Sequence, residues 1–401
     1  MYISTRSLIT LSLTILFSVP TVSFTQTTIA GTINITGQVF EDINKNGLKE
    51  NNEPGISDVV ISDQLEVVQT DKNGLYQINA RNSNRIIFIS VPSGYKTSGS
   101  FYLHIKTEAA NQSVDFPLIK IPLENEFSFI HASDTHISNS SIGRMHKLKN
   151  KIDSVKPTFV IVTGDLVKDA LRVPEKEALG YYTLYKQETE KIQAPVWNIP
   201  GNHELFGIER HLSLVSKDNP YYGRKMYYHF LGPDYYSFNF NGIHFIGLNS
   251  LSYDDLYYYG YIDSTQIEWL KKDIAFVDPK TPIVTFQHVP FYSGGFSFDI
   301  FELTGPNRTV ETVHGVLQNR HIVSNAGDVM KVLQKRNYPL ALAGHYHAQQ
   351  KFSLYGVQTR FEQTGAVIGP NMKETFIMPS GVTLYRVKNG KIDEGVFVVL
   401  D

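Results

Sequence analysis

The sequence feature that most constrains the fold is a series of apolar runs, each followed at once by side chains that can bind metal ions. These junctions are Asp134-Thr135-His136, Gly164-Asp165, Gly201-Asn202-His203-Glu204, Gln287-His288 and Gly344-His345-Tyr346-His347. The carboxyl ends of parallel strands meet at one edge of an α/β sheet, where such folds place their ligands. Because these groups are oxygen and imidazole ligands, the series predicts a site for two metal ions at that edge.

The spacing within the first junction suggests how its side chains point. Residues i and i+2 of a strand share a face, so we expect Asp134 and His136 to project together from a strand end. The carboxylate of Asp165 has two oxygens and can bridge two cations about 3.5–4 Å apart. This ligand chemistry suits Mn, Fe, Zn, Co or Ni better than calcium.

Composition excludes several other classes of site and partner. The chain has 37 Lys and Arg against 39 Asp and Glu, a net charge of −2, which gives no electrostatic reason to expect a nucleic-acid duplex as partner. It contains no cysteine, so thiolate metal sites and disulfides are excluded. With 401 residues, it is too long for one ordinary core, and we expect two domains after processing.

Residues 1–26 are predicted to be a cleaved signal peptide. Arg6 precedes a short apolar run, Leu8–Val19, and small residues follow it. The run is shorter than the roughly 20 residues that a spanning helix needs, although a buried strand or a membrane anchor remains an alternative. We therefore expect a periplasmic or secreted mature protein without a transmembrane segment.

The rest of the chain divides into two predicted domains. Residues 27–120 contain short alternating runs separated by turn signals, which predicts a small β-sandwich-like domain. Residues 121–401 alternate strand and helix patterns, with buried strands at Thr158–Thr163 and Leu340–Ala343. Asn241-Gly242 predicts a hairpin turn, and Ser264–Phe276 a helix with Ser264 as its N-cap.

The junctions read D-x-H, G-D, G-N-H-[DE], H and G-H-x-H, and with this series residues 126–401 resemble the calcineurin-like metallophosphoesterases. The resemblance implies an α/β fold, a four-layer α/β/β/α sandwich of two mixed sheets. It also implies that Asp165 bridges two metals. Of the other ligands, Asp134, His136 and His347 would complete the first metal, and Asn202, His288 and His345 the second. His345 and His347 would then serve different metals, which requires a loop at that junction.

The chemistry implied is hydrolysis of small-molecule phosphate mono- or diesters. Two dications hold a bridging solvent as hydroxide, which attacks phosphorus in line while the metals neutralise the equatorial oxygens. His203 resembles the histidine of the family that does not bind metal and that protonates the leaving oxygen or stabilises the transition state. Such general-acid help is typically worth about 10²–10⁴ in rate.

Lys168 departs from the pattern of related families. Phosphoprotein phosphatases have an aspartate three residues after the bridging one, which orients the catalytic histidine, and purple acid phosphatases have a tyrosine ligand there. Lys168 argues against an Fe(III)-tyrosinate site. Either Asp169 takes over the orienting role, which would make it part of the catalytic set, or another carboxylate orients His203.

The specificity of the site is less constrained by sequence. Arg308, Arg320 and His321 lie in a long insertion from which they could reach an anionic substrate. Tyrosines in Tyr221–Tyr228 and Tyr257–Tyr261 either stack on a substrate or pack beneath the sheet edge, and we favour packing.

The amino-terminal domain carries a separate motif. Asp42, Asn44, Asn46, Gly47 and Glu53 match the calcium-loop pattern D-x-[DN]-x-[DN]-G-x5-E, whose oxygens converge on one hard cation. The segment resembles the calcium-binding B-repeats of bacterial surface adhesins and the small β domain of some secreted calcineurin-like phosphoesterases. An Asn/Asp-rich turn without an ion is the alternative. The motif also supports a second function, that of a calcium-dependent surface-binding protein with an inert phosphoesterase domain.

Overall fold

A computed structural model of the protein describes residues 32–106, 111–295, 309–369 and 378–400. The signal peptide predicted for residues 1–26 lies outside the described residues, as does Arg308. Within the described ranges, no helix combines the length and the apolar character needed to cross a membrane.

The amino-terminal region is built from strands alone. In chain order these are β1 (Ile33–Glu41), β2 (Val60–Ser62), β3 (Val67–Gln69), β4 (Leu75–Ala80), β5 (Ile86–Ser90), β6 (Tyr95–Thr97), β7 (Tyr102–His104), β8 (Asn111–Ser113) and β9 (Phe116–Lys120). One sheet has the order β4-β1-β9-β6 with β8 also paired to β1, and the other has the order β3-β2-β5-β7. Buried and exposed residues alternate along β4, as in a strand with one solvated face. The predicted all-β region is confirmed.

Strands and helices alternate in the remainder of the chain. The first part contains β10 (Glu126–Ala132), α1 (Ile142–Val155), β11 (Phe159–Thr163), α2 (Glu175–Thr189), β12 (Val196–Ile199), α3 (Arg210–Ser213), α4 (Lys225–Leu231), β13 (Tyr236–Phe240) and β14 (Ile243–Gly247). The middle part contains β15 (Leu251–Asp254), β16 (Tyr257–Gly260), α5 (Ser264–Ile274), β17 (Ile283–Phe286), β18 (Val310–Val313), β19 (Val316–Asn319) and α6 (Ala326–Leu333). The last part contains β20 (Leu340–Ala343), β21 (Gln350–Ser353), β22 (Arg360–Gln363), β23 (Gly381–Lys388), β24 (Lys391–Ile392) and β25 (Val396–Val399).

Two six-stranded mixed sheets form the centre of this region. The first has the order β12-β11-β10-β23-β24, with β25 paired to β23, and β10, β11 and β12 are parallel. The second has the order β13-β14-β17-β20-β22-β21, and its inner strands are parallel. Their parallel strands are continuous apolar runs because both faces are covered.

The side chains of β10 show how the layers stack. Phe129 packs edge-on against Phe245 of the second sheet, with ring centroids 5.8 Å apart. Ile130 belongs instead to the core that contains Leu148 of α1. Helices α5 and α6 contribute to the other core, which contains the second sheet, and Trp269 of α5 is part of it. The order is therefore helices, sheet, sheet, helices, and the predicted α/β/β/α sandwich is confirmed.

The amino-terminal sheets pack directly on the second six-stranded sheet. The indole Nε1 of Trp269 donates to Ser62 Oγ at 3.1 Å, and Gln64 Nε2 donates to Asp234 Oδ1 at 2.9 Å. All four side chains are buried, so the two regions share a continuous interior. The division of the chain at residues 120 and 121 stays a prediction.

Two local predictions have different outcomes. The hairpin turn is confirmed, because β13 pairs antiparallel with β14 and both Asn241 and Gly242 have positive φ. The predicted cap of α5 is wrong. The residue before the helix is Asp263, whose backbone is extended and whose carboxylate accepts from Gln266 N at 2.9 Å, so Ser264 is already the first helical residue.

Candidate metal centre

The loops that follow β10 and β11 run side by side at the edge of the first sheet. Asp134 N donates to Gly164 O at 3.0 Å, and His136 N donates to Asp165 O at 2.9 Å. Strand β10 ends at Ala132, and both Asp134 and His136 have positive φ, at 54° and 40°. The two side chains do meet, but the strand geometry expected for them is wrong, because a left-handed loop directs them.

Several candidate ligands have a backbone in the left-handed region. The non-glycine residues with positive φ at these junctions are Asp134, His136, Asp165, His345 and His347. Such conformations cost on the order of 1–3 kcal/mol each and persist where surrounding structure enforces them. The buried strands before each junction supply that enforcement, and the clustering of strain at one edge marks a functional site.

The first group of ligand atoms comes from the loops after β10 and β20. His347 Nε2 lies 3.2 Å from Asp134 Oδ1 and 3.3 Å from His136 Nε2. His136 Nε2 also lies 3.6 Å from Asp165 Oδ2. The side chains expected around the first metal are therefore brought together.

The second group surrounds the same carboxylate from its other side. His288 Nε2 lies 3.3 Å from Asp165 Oδ2, 3.2 Å from Asn202 Oδ1 and 3.1 Å from His345 Nδ1. His345 and His347 point into different groups from a loop, as the ligand assignment required. Asp165 lies between the two groups.

The donor atoms of the site fit metal cations. His288 Nδ1 donates to the carbonyl oxygen of Thr163 at 2.7 Å, which leaves Nε2 as the nitrogen that faces the oxygens of Asp165 and Asn202. Asp134 Oδ1 is buried and, within the described part of the chain, accepts no hydrogen bond. Acceptors that face each other in a buried site are satisfied by cations, and this O/N set fits two divalent ions.

The protonation of the cluster follows from burial and from neighbouring charges. Burial lowers the pKa of His136 to about 4, and His203 adds to this effect. Burial also opposes the charged form of His288, but Asp165 outweighs it and raises the pKa of His288 to about 9. Burial alone would raise the pKa of Asp165, yet His288 and His203 hold that pKa well below its usual value. The carboxylate of Asp165 is therefore anionic.

His203 stands beside the cluster and is oriented by backbone. Its Nδ1 donates to the carbonyl oxygen of Lys168 at 2.7 Å, and its Nε2 lies 3.8 Å from Asp165 Oδ2. Asp169, expected to orient His203, does not hydrogen-bond to it. Asp169 Oδ1 is 3.9 Å from His203 Nδ1, because its carboxylate instead accepts from Leu171 N at 2.9 Å and from Arg172 at 3.1 Å.

Glu204 supports the site without joining it. Its carboxylate accepts from the backbone N–H groups of Leu166, Val167 and Gly201 at 2.6–2.9 Å and so ties two of the ligand loops together. Burial and the charge of Asp165 raise the pKa of Glu204 to about 8.

Two of the three insertion residues, Arg320 and His321, contact other groups of the protein. Arg320 is buried, with its guanidinium 4.3 Å from the ring centroid of Tyr258. His321 Nδ1 lies 2.7 Å from His345 Nε2, so it contacts a candidate ligand instead of reaching for substrate. Sequence reasoning missed this role because the two residues come from different loops.

The site opens to solvent through a cavity of about 530 Å³. Five of the candidate ligands line it together with His203, namely His136, Asp165, Asn202, His345 and His347. The additional lining residues are Ser138, Ser140, Ser141, Lys168, Arg172, Tyr258, Ile368 and Gly369. Of the tyrosines in the two aromatic segments, Tyr222, Tyr227 and Tyr258 are buried.

A two-sheet sandwich with two carboxylate–imidazole groups at one edge has the architecture of a binuclear metallohydrolase. The family model described as "Calcineurin-like phosphoesterase" matches residues 127–349, and "N terminal of Calcineurin-like phosphoesterase" matches residues 43–121. The chain belongs to the calcineurin-like phosphoesterase family. The family implies two divalent metal ions, and the clusters around Asp165 provide residues for them.

Individual relatives match only parts of the chain. It is 36% identical to purple acid phosphatase 15 of Arabidopsis thaliana over 109 residues, 25% of this chain and 18% of that protein. It is 29% identical to probable purple acid phosphatase 20 of the same plant over 184 residues, 44% of this chain and 36% of that protein.

The chain also matches serine-aspartate repeat-containing protein D of Staphylococcus aureus, at 27% identity over 156 residues, 34% of this chain and 12% of that protein. In each case the match spans well under two thirds of the relative. A solved dimetal phosphatase from Danio rerio aligns with a TM-score of 0.45 and 14% identity, over 70% of this chain and 100% of that chain.

Proposed function

We propose that the protein is an exported phosphoesterase that binds two divalent transition-metal ions and hydrolyses small-molecule phosphate mono- or diesters. The observation that carries this proposal is the position of Asp165 Oδ2, 3.6 Å from His136 Nε2 on one side and 3.3 Å from His288 Nε2 on the other. A single carboxylate thus links both groups of ligands. The donor set favours Mn, Fe, Zn, Co or Ni.

The roles of the protein groups follow from their hydrogen bonds. Two cations held by these residues would supply Lewis acidity at the phosphoryl group and activation of water. His203 is fixed at Nδ1 by the Lys168 carbonyl, so its Nε2 faces the cavity and, when protonated, can give a proton to the leaving oxygen. With Lys168 in place of tyrosine, the chain offers no phenolate at that position for a ferric site.

Two substitutions separate metal binding from proton transfer. Asp165→Asn removes the shared anionic ligand, and we expect both metal content and hydrolysis of p-nitrophenyl phosphate to be lost. His203→Ala should keep about two transition-metal ions per chain and lower kcat by about 10²–10⁴. Undiminished hydrolysis by Asp165→Asn would refute the proposal. Calcium as the sole bound metal would instead support a surface-binding protein with an inert phosphoesterase domain.

Calcium binding by the amino-terminal loop is a further part of the proposal. Asp42 and Glu53 are buried, and the carboxylate of Asp42 accepts from Asn46 N and Gly47 N at 3.0 Å. The resemblance to adhesin B-repeats supports both calcium and association with the cell surface. Calcium titration by calorimetry should show one site that Asp42→Ala abolishes, and an unchanged titration would remove calcium from the proposal.

Export is supported by the pattern of residues 1–26 alone. Expression of the full chain should place the protein in the periplasmic or culture fraction, shortened at its amino terminus. A chain without these residues should stay in the cytoplasm. Equal distribution of the two forms would argue against a signal peptide.

A further inference from the structure

We propose that the ammonium group of Lys168 binds the phosphoryl group of the substrate and makes the site prefer phosphate monoesters over diesters. This inference rests on the proposed phosphoesterase function and specifies its substrate class. Lys168 is exposed and lines the same cavity as His136, Asp165 and His203.

The backbone of Lys168 is part of the site and holds the base of its side chain in place. Its carbonyl oxygen accepts from His203 Nδ1 at 2.7 Å and lies 3.4 Å from His136 Nδ1, and its N–H donates to Ile137 O at 3.1 Å. On the Lys168 side, these contacts use main-chain atoms only. A substitution of the side chain therefore leaves the orientation of His203 intact and tests the ammonium group alone.

The charge of Arg172, which also lines the cavity, is already neutralised. Arg172 donates to Asp169 Oδ2 at 3.1 Å and to Glu209 Oε2 at 2.8 Å, so both sides of its guanidinium are occupied. Lys168, in contrast, has no side-chain hydrogen bond or ion pair with any residue in the described ranges. Its three N–H donors are available to a bound anion.

The charge of the substrate decides how much this cation contributes. A phosphate monoester has a second pKa near 6 and carries close to two negative charges at pH 7.5, whereas a diester carries one. The Coulomb attraction to one ammonium group grows in proportion to that charge. Because the charge is present in the bound substrate as well as in the transition state, the cation should lower KM more than it raises kcat.

The test compares one monoester with one diester of the same leaving group. For Lys168→Met we expect KM for p-nitrophenyl phosphate to rise about tenfold, as for loss of one hydrogen bond to a charged group. For bis(p-nitrophenyl) phosphate we expect KM to change less than about threefold, since its single charge is attracted less. Lys168→Arg should retain the preference, and Lys391→Met, at an exposed strand residue outside the cavity, serves as the control.

Two results for Lys168→Met would overturn the inference: an equal rise in KM for both substrates, or no change in KM for either. Metal content should remain at the level of the unsubstituted protein in Lys168→Met. If the unsubstituted protein hydrolyses neither ester, the proposed function fails, and binding of inorganic phosphate to the metal-loaded protein then decides the role of Lys168. A roughly tenfold weaker affinity in Lys168→Met would support the role, and an unchanged affinity would refute it.

Discussion

The imidazole of His321 lies against that of His345, with 2.7 Å between His321 Nδ1 and His345 Nε2. His345 turns its other nitrogen, Nδ1, towards His288 and the candidate second metal position. With Nδ1 used as a ligand, Nε2 carries the proton and donates to His321. Hydrogen bonds of this kind orient metal-binding histidines and adjust their basicity.

Replacing His321 should therefore weaken the second metal position. We expect His321→Phe to lower its metal affinity by about 10–100-fold, because His345 loses its acceptor. Metal content after dialysis against graded chelator concentrations measures this. His321→Gln, which keeps an acceptor oxygen, is the matched control and should retain more metal. Equal retention by both variants and the unsubstituted protein would show that the contact does not support the ligand.

Gly201 allows two ligand loops to approach each other closely. A Cβ at this position would meet Asp165 Oδ1 and the backbone N of Asp165. Gly201→Ala should lower the free energy of unfolding by about 1–3 kcal/mol, as overpacking does, and should reduce metal content because Asp165 must move. Denaturant unfolding and metal analysis measure the two effects.

Gly180→Ala provides the control for that substitution. Gly180 lies within α2, where an added Cβ has no neighbour within 4 Å in the described structure. We expect this variant to be more stable by about 0.5–1 kcal/mol, since alanine favours helix. A destabilisation of the same size in both variants would contradict the role given to Gly201.

His131 should make the protein less stable in mild acid. Burial lowers its pKa to about 3, with Asp134 offsetting part of the effect, and its Nε2 lies 2.9 Å from Thr163 Oγ1. The unfolded chain titrates near 6.5, so between pH 6.5 and 3 the unfolded state binds more protons. The free energy of unfolding therefore falls as pH falls, by about 2 kcal/mol from pH 6.5 to 5 for this group.

The measurement is urea unfolding of chelator-treated protein at pH 7.5 and 5. His131→Asn should lose part of the acid sensitivity although it is less stable at neutral pH. His211→Gln, at an exposed position, should show the same change in the free energy of unfolding with pH as the unsubstituted protein. If the free energy of unfolding of His131→Asn falls between pH 7.5 and 5 by as much as that of the unsubstituted protein, other groups cause the loss of stability in acid.

The convergence of the site residues could be predicted from sequence because it follows from residue type and from the position of each junction. Asp134, Asp165 and His288 each follow an apolar run, and apolar runs of this kind become buried strands whose ends share an edge. The alternation of strand and helix likewise predicted layers of helices on sheets, since helices and sheets bury their apolar faces against each other.

The orientation of the side chains depended on tertiary structure. The left-handed loop at Asp134 and His136 forms because the neighbouring loop supplies hydrogen bonds to its backbone, which residue preferences do not reveal. His203 is oriented by a main-chain carbonyl, and any residue at position 168 has one, so a search for a carboxylate led to Asp169. The sequence by itself determined which chemical groups the site contains. Only the folded chain decided what holds each group, because those contacts join backbone and side-chain atoms from separate loops.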